Sequence, residues 1–107
     1  MKQIRSFELK AWLDDPQREK PVLLDVREPW EFELCRIDGS MLIPMGSVFN
    51  RIGELDPARE TVVICHHGVR SYHIARLLEL NGFTDVINLT GGVDAWATQV
   101  DAAMATY

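Results

Sequence analysis

Short apolar runs recur along the chain and are separated by segments of helical periodicity. Four runs have the continuous hydrophobicity of strands buried on both faces, and they cover residues 22–26, 41–43, 61–64 and 86–88. Because these strands alternate with helices, the pattern predicts an α/β fold with a parallel or mostly parallel sheet covered on both faces. Ligands of such sheets bind beyond the carboxyl ends of the strands.

Helix signals fill the segments between these strands. Trp12, Trp30 and Trp96 lie on apolar faces of the predicted helices, so we expect all three to be core or cover residues. The first predicted helix is capped by Ser6 and ended by Asp14, Asp15 and Pro16, and the second runs from Pro29 to Leu34. A weak helical stretch lies around residues 48–55. A strongly amphipathic helix begins at Ser71 and is closed by Asn81 and Gly82, and a last helix follows Gly91 and Gly92.

Size and composition fit one globular domain over residues 1–107. The chain is 47% hydrophobic and 25% charged, as is usual for globular domains. Its first residues lack the apolar region of a signal peptide and no run has the length of a membrane span, so we expect a cytoplasmic protein with reduced Cys35 and Cys65.

Charge and ligand spacing exclude further classes of function. The net charge is −5 without a basic stripe, which argues against a nucleic-acid partner. Two cysteines and the adjacent His66 and His67 do not match the usual zinc spacings, so no metal site is expected, and no cofactor either.

Cys65 follows the clearest strand and precedes the strongest helix. Amide N–H groups at a helix N-terminus have no partners within the helix and favour an anion. Gly68 allows the loop to curl around that anion, and Arg70 adds a positive charge. These features favour the thiolate, so the residues themselves indicate an activated, nucleophilic cysteine rather than an inert buried one.

The loop CHHGVRS, from Cys65 to Ser71, resembles the active-site loop of rhodanese domains, the thiosulfate and persulfide sulfurtransferases. Two further segments are similar to hallmarks of that family: LLDVREPWEFELCRIDGS, from Leu23 to Ser40, and INLTGGVDAW, from Ile87 to Trp96. The resemblance spans nearly the whole chain. It implies a compact three-layer domain built on a five-stranded, mostly parallel sheet.

The resemblance implies a sulfurtransferase that carries a sulfane sulfur as a persulfide on Cys65. The donor would be thiosulfate or another persulfide, and the acceptor a thiol, or cyanide in an assay; a sulfur-relay protein is a candidate partner. His66 and His67 stand where the family often has basic residues, which weakens the case for an anionic donor such as thiosulfate. A regulatory interaction module is the alternative function.

Loop length separates sulfur transfer from phosphatase or arsenate reductase chemistry on the same fold. Four residues lie between Cys65 and Arg70, whereas the related phosphatases place five between cysteine and arginine. The smaller loop suits the single outer sulfur of a persulfide better than a tetrahedral phosphate. The sequence therefore favours sulfur transfer.

The predicted site residues keep alternative roles. The loop backbone from His66 through Gly68 and Val69 to Ser71 would hold the outer sulfur. The two histidines could bind a donor, act as acid or base, or form a pocket rim. Arg70 could bind anions or pair with Asp25 or a glutamate, and Ser71 could cap the helix, donate to the sulfur, or both. Asp25 and Arg27 are predicted to form a supporting ion pair. Cys35 is expected to be a structural residue, and His73 a surface residue.

Overall fold

The computed structural model describes residues 1–107, and its centre is a five-stranded sheet. The strands are β1 (Lys2–Ile4), β2 (Val22–Asp25), β3 (Met41–Leu42), β4 (Thr61–Ile64) and β5 (Val86–Leu89). They lie in the order β1-β5-β4-β2-β3, and every neighbouring pair is parallel. The predicted α/β fold is therefore confirmed, with a sheet that is parallel throughout.

Four helices cover the sheet: α1 (Ser6–Asp14), α2 (Pro29–Leu34), α3 (Val69–Leu80) and α4 (Gly92–Gln99). One buried cluster joins the sheet to α3, through residues such as Ile74 and Leu78. A second cluster joins the opposite face to α1 and α4, through Leu9 and Trp96. These two cores make the three layers.

Strand β4 occupies the middle of the sheet and is buried along its whole length. Its side chains alternate between the two cores, as a strand requires. Val63 and Cys65 belong to the cluster under α3, whereas Val62 and Ile64 belong to the cluster under α1 and α4. Cys65 is thus delivered to the carboxyl edge of the sheet by its most deeply buried strand.

Strand β1 was not predicted, because its residues show no strand pattern in the sequence. It has three residues, and its first two, Lys2 and Gln3, are exposed. It pairs with β5 alone, with Lys2 opposite Ile87. A short edge strand of this kind needs neither a continuous apolar run nor a regular alternation.

Two capping predictions are wrong. Helix α1 begins at Ser6 itself, and the Ser6 hydroxyl is bonded to Gln99 of α4 rather than to its own first turn. Helix α3 begins at Val69 after Gly68, so Ser71 lies inside the first turn and is not a cap.

Two other expectations differ in part. Trp12 and Trp96 are buried as predicted, but Trp30 is 61% exposed and is not a core residue. The weak helical stretch forms two separate 3₁₀ turns, Met45–Ser47 and Ile52–Glu54. None of the helices has both the length and the apolar composition that crossing a bilayer requires.

Candidate active site

The Cys65 sulfur lies at the centre of the loop that joins β4 to α3. The residue is only 1% exposed. Its Sγ accepts a hydrogen bond from the Gly68 amide at 3.0 Å and donates to the Ser71 hydroxyl at 3.3 Å. The loop therefore curls back on the sulfur within three residues, as predicted from the glycine.

Gly68 makes this curl sterically accessible. Its φ of +104° lies in the left-handed region that side chains disfavour. A Cβ at this position would also approach the Gly91 amide nitrogen to 3.3 Å. Helix α3 starts at the next residue, so the amides of its first turn, which have no partner within the helix, follow directly after the Gly68 amide that contacts the sulfur.

Helix α4 fixes the other side of the loop. The Val93 and Asp94 amides donate to the carbonyl oxygens of Cys65 and His66, at 3.0 and 3.1 Å. Because C=O and N–H point in opposite directions across a trans peptide, the next amides, those of His66 and His67, are directed away from α4.

Gly92 allows this close approach of α4 to the loop. A Cβ there would lie 2.3 Å from the Cys65 carbonyl oxygen and 2.4 Å from that of His66. Gly92 also has a positive φ of +56°. Both observations explain why a glycine stands at the start of α4.

A buried polar relay connects the sulfur to β5. The Ser71 hydroxyl donates to Asn88 Oδ1, and Asn88 Nδ2 donates to the Gly68 carbonyl oxygen at 3.2 Å. The same Nδ2 also donates to Gln3 of β1 at 3.0 Å. Asn88 thereby holds Ser71 and the loop backbone in one arrangement.

Arg70 is held by a carboxylate of α2 rather than aimed at the sulfur. Its two terminal nitrogens each donate to one oxygen of Glu31, both at 2.8 Å. This bidentate pairing with Arg70 lowers the pKa of Glu31 to about 2 and raises the pKa of Arg70. Of the two partners named in advance for Arg70, Asp25 and a glutamate, the structure selects the glutamate.

Asp25 and Arg27 form a fully buried ion pair behind the loop. Arg27 Nη2 donates to Asp25 Oδ2 at 2.8 Å, and neither side chain has exposed surface. Arg27 also donates to the Cys35 carbonyl oxygen at 2.6 Å and approaches the Cys35 sulfur at 3.7 Å. Cys35 is buried beside this ion pair.

The two histidines form the rim of the loop. His67 is 61% exposed along its side chain and His66 is half-buried. Burial, followed by the proximity of the His67 imidazole, lowers the pKa of His66 below its ordinary value of 6.5, which favours the neutral imidazole at neutral pH. His66 and His67, together with Asp94, place three candidate ligand atoms within 4.8 Å of one another, and these are the side chains that could hold a metal ion.

The structure gathers the loop from Cys65 to Ser71 into one site, with Asp25 and Arg27 behind it. The side chain of Val69 is exposed, so its contribution to the loop is its backbone. Sequence reasoning missed Glu31, Asn88 and Tyr107. Asn88 had one available signal, a polar residue inside an apolar strand, and Glu31 lay in the segment similar to the family's acidic helix.

Comparison with known proteins places the chain in a family. The model of the rhodanese-like domain matches residues 8–99. A thiosulfate sulfurtransferase, GlpE, of Pseudomonas syringae is 39% identical over 77 residues, which cover 72% of this chain and 73% of that protein. A rhodanese-like/PpiC domain-containing protein of Arabidopsis thaliana is 36% identical over 112 residues, covering 100% of this chain and 38% of that protein.

Solved structures agree with this assignment. The crystal structure of a rhodanese-like domain protein from Staphylococcus aureus superposes with a TM-score of 0.84 at 30% identity, covering 100% of this chain and 99% of that one. The chain belongs to the rhodanese-like domain family. It is a rhodanese domain of the sulfurtransferase type, and it spans 26% to 43% of the length of several longer relatives.

Proposed function

We propose that this domain transfers a sulfane sulfur through a persulfide on Cys65. The observation that carries the proposal is the position of the Cys65 sulfur, 3.0 Å from the Gly68 amide and beside the first turn of α3. Amides gathered around one atom stabilise negative charge there. A thiolate and the outer sulfur of a persulfide are both anions of the size that such a loop can surround.

In the first half-reaction, the Cys65 thiol loses its proton to solvent and its thiolate attacks the outer sulfur of the donor. The new S–S bond forms as the donor's own sulfur–sulfur bond breaks, and the donor leaves as a thiolate or as sulfite. Cys65 then carries an outer sulfur with a negative charge. Loop amides from His66 to Ser71 hold that charge, while the Ser71 hydroxyl, 3.3 Å from Sγ, keeps its hydrogen bond to Asn88 Oδ1.

In the second half-reaction, an acceptor thiolate, or cyanide in an assay, attacks the outer sulfur. The persulfide bond breaks and Cys65 leaves as a thiolate, which restores the starting state. The acceptor in the cell is a thiol of a small molecule or of a sulfur-relay protein, and the reducing cytoplasm keeps Cys65 available as a thiol.

The charges around the loop favour persulfide donors over thiosulfate. Arg70 is paired with Glu31 and Arg27 with Asp25, and the lowered pKa of His66 favours its neutral form. A thiosulfate dianion therefore meets no unpaired buried cation beside Cys65. A persulfide carries less charge than thiosulfate, so it loses less hydration free energy on entering such a site.

The pairing of Arg70 also speaks against phosphatase or arsenate reductase activity. Those reactions need an arginine that binds the tetrahedral anion through a pair of N–H groups. Nη1 and Nη2 of Arg70 each donate to Glu31, so the guanidinium already has a carboxylate partner.

Mass spectrometry after treatment with a donor tests the proposal. Incubation with a persulfide should add about 32 Da, one sulfur atom, to the protein, and cyanide should remove it as thiocyanate. Cys65→Ser should abolish both events. Thiosulfate should load the protein more slowly than a persulfide at equal concentration.

Cys35→Ala provides the matched control because Cys35 is the other cysteine and is also buried. This variant should gain the sulfur as the parent does. Sulfur that persists in Cys65→Ser, or that disappears in Cys35→Ala alone, would contradict the assignment. Absence of any adduct in the parent with every donor would favour the alternative of a regulatory interaction module.

A further inference from the structure

Tyr107 lies against the loop that holds Cys65. Its ring stacks on the His66 imidazole, with centroids 3.8 Å apart and planes 8° from parallel. It also meets Trp30 of α2 edge-on, at 5.5 Å and 71°. One face of the residue next to Cys65 is therefore covered by an aromatic ring that sequence reasoning did not place there.

The hydroxyl group of Tyr107 is held between two charged groups of the site. It donates to Glu31 Oε2 at 2.6 Å and accepts from Arg27 Nη1 at 3.0 Å. Burial, followed by the hydrogen bond to Glu31, raises the pKa of Tyr107 to about 12. The phenol thus stays protonated and keeps donating throughout the physiological pH range.

Tyr107 differs from the other groups around the loop in how it is anchored. Ser71 lies on α3, Asn88 on β5 and Gly92 on α4, so each is fixed by a regular element. Tyr107 follows α4 in a segment without helix or strand, and the two residues before it are exposed. Its own side-chain contacts are therefore a main attachment of this segment to the site, and a side chain attached in this way can leave without unfolding the domain.

Cys65 must be uncovered before it can react, because only 1% of its surface is exposed. Displacing β5, α3 or α4 would break hydrogen bonds of the backbone, whereas displacing Tyr107 breaks two aromatic contacts, with His66 and Trp30, and two side-chain hydrogen bonds. We propose that Tyr107 is an access-determining residue: its ring closes the His66 side of the loop, and it swings away to admit reagents and sulfur donors to Cys65.

The proposal concerns access to Cys65, and it rests on the proposed function only in that the admitted reaction is sulfur transfer. Closing contacts of this number and type shift an equilibrium by about tenfold to a hundredfold. Removing them should accelerate every reaction of Cys65 that is limited by opening.

Alkylation of Cys65 by iodoacetamide, an uncharged reagent, tests access without any sulfur donor. Peptide mapping by mass spectrometry separates Cys65 from Cys35. Tyr107→Ala should alkylate at Cys65 about tenfold faster or more. Tyr107→Phe keeps the ring and loses both hydrogen bonds, so its rate should lie between those of the parent and Tyr107→Ala.

Urea unfolding of each variant is the control for destabilisation, because Cys35, although only 8% exposed, lies beside Arg27, which also donates to the Tyr107 hydroxyl. Tyr107→Ala should accelerate alkylation at Cys65 by more than its loss of unfolding free energy explains. An acceleration at Cys65 no larger than the rise in the unfolded fraction would overturn the proposal. Tyr72→Ala is the matched substitution: Tyr72 is 42% exposed, its ring meets His73 edge-on, and its removal should leave the Cys65 rate unchanged.

The pH dependence of alkylation separates access from electrostatics. If Tyr107 controls access, Tyr107→Ala should have a higher plateau rate than the parent and the same pH of half-maximal rate. A displaced half-maximal pH with an unchanged plateau would overturn the proposal, because Tyr107 would then act on the charge of the sulfur through Glu31 and Arg70. Identical profiles in all variants would also overturn it. Failure of the parent to form a persulfide would refute sulfur transfer and leave the alkylation result standing.

Discussion

We expect the Gly92→Ala substitution to displace the Cys65 loop, because the added carbon would fall onto backbone atoms of that loop. The Cβ would lie 2.3 Å from the Cys65 carbonyl oxygen and 2.5 Å from the His66 carbonyl carbon. Neither is the flexible end of a side chain, so α4 or the loop must shift. The hydrogen bonds from the Val93 and Asp94 amides to the loop carbonyls would lengthen with that shift.

Two separate costs set the magnitude. An alanine at a φ of +56° is strained, which costs roughly 1–2 kcal/mol. Relieving the overlap costs about 1–3 kcal/mol more, as overpacking of a tight contact does. We therefore expect Gly92→Ala to lose about 2–5 kcal/mol of unfolding free energy. A loop displaced by about 1 Å should also slow persulfide formation by about 10²-fold.

Three alanine variants separate strain from overlap in urea unfolding followed by circular dichroism. Gly82 has a φ of +88° with nothing within 4 Å of a Cβ, so Gly82→Ala measures strain alone. Gly53 has neither a positive φ nor a close neighbour and serves as the neutral control. The free energy lost should be largest for Gly92→Ala and smallest for Gly53→Ala. Equal losses for Gly92→Ala and Gly82→Ala, with full sulfur transfer, would refute the reasoning.

Two further predictions concern the buried charges. Because Arg70 lowers the pKa of Glu31 to about 2, the stability that Glu31 contributes is present above its ordinary pKa of 4.5 and is lost as pH falls toward 2. Across this pH window, the unfolding free energy should fall by up to about 3 kcal/mol more in the parent than in Glu31→Gln. Parallel curves for the two proteins would contradict the assignment. Asp25→Asn leaves Arg27 buried without its anion and should cost about 3–5 kcal/mol in urea unfolding, whereas a loss below about 1 kcal/mol would mean that the pair is dispensable.

The larger part of the fold could be predicted from the sequence because its strands are buried on both faces. β2, β4 and β5 read as continuous apolar runs, and the proline at position 29 marked the start of α2. β1 could not be predicted in the same way, since two of its three residues face solvent and its stability comes from pairing with β5.

The reactive loop could be predicted because its chemistry is local. Cysteine, glycine and helix N-terminus occur within a few residues, so no distant contact is needed to infer that they meet. Contacts that close the site depend on tertiary structure. Arg70 meets Glu31 across 39 positions of sequence, and Tyr107 meets the same carboxylate across 76. No spacing rule relates such pairs, and only the arrangement of α2 beside the sheet edge brings them together.

The parallel sheet gathers the reactive groups at one end of the domain and leaves the other end without them. All strands point the same way, so the reactive sulfur and the groups that hold it meet at one edge, while the turns entering β4 and β5 lie at the other. That second edge carries surface ion pairs such as Arg18–Glu60 and Lys2–Asp85, which contribute little to the free energy of unfolding. Substitutions and short insertions in those turns should therefore leave the sulfur in place, because the groups that hold it meet at the opposite edge of the sheet.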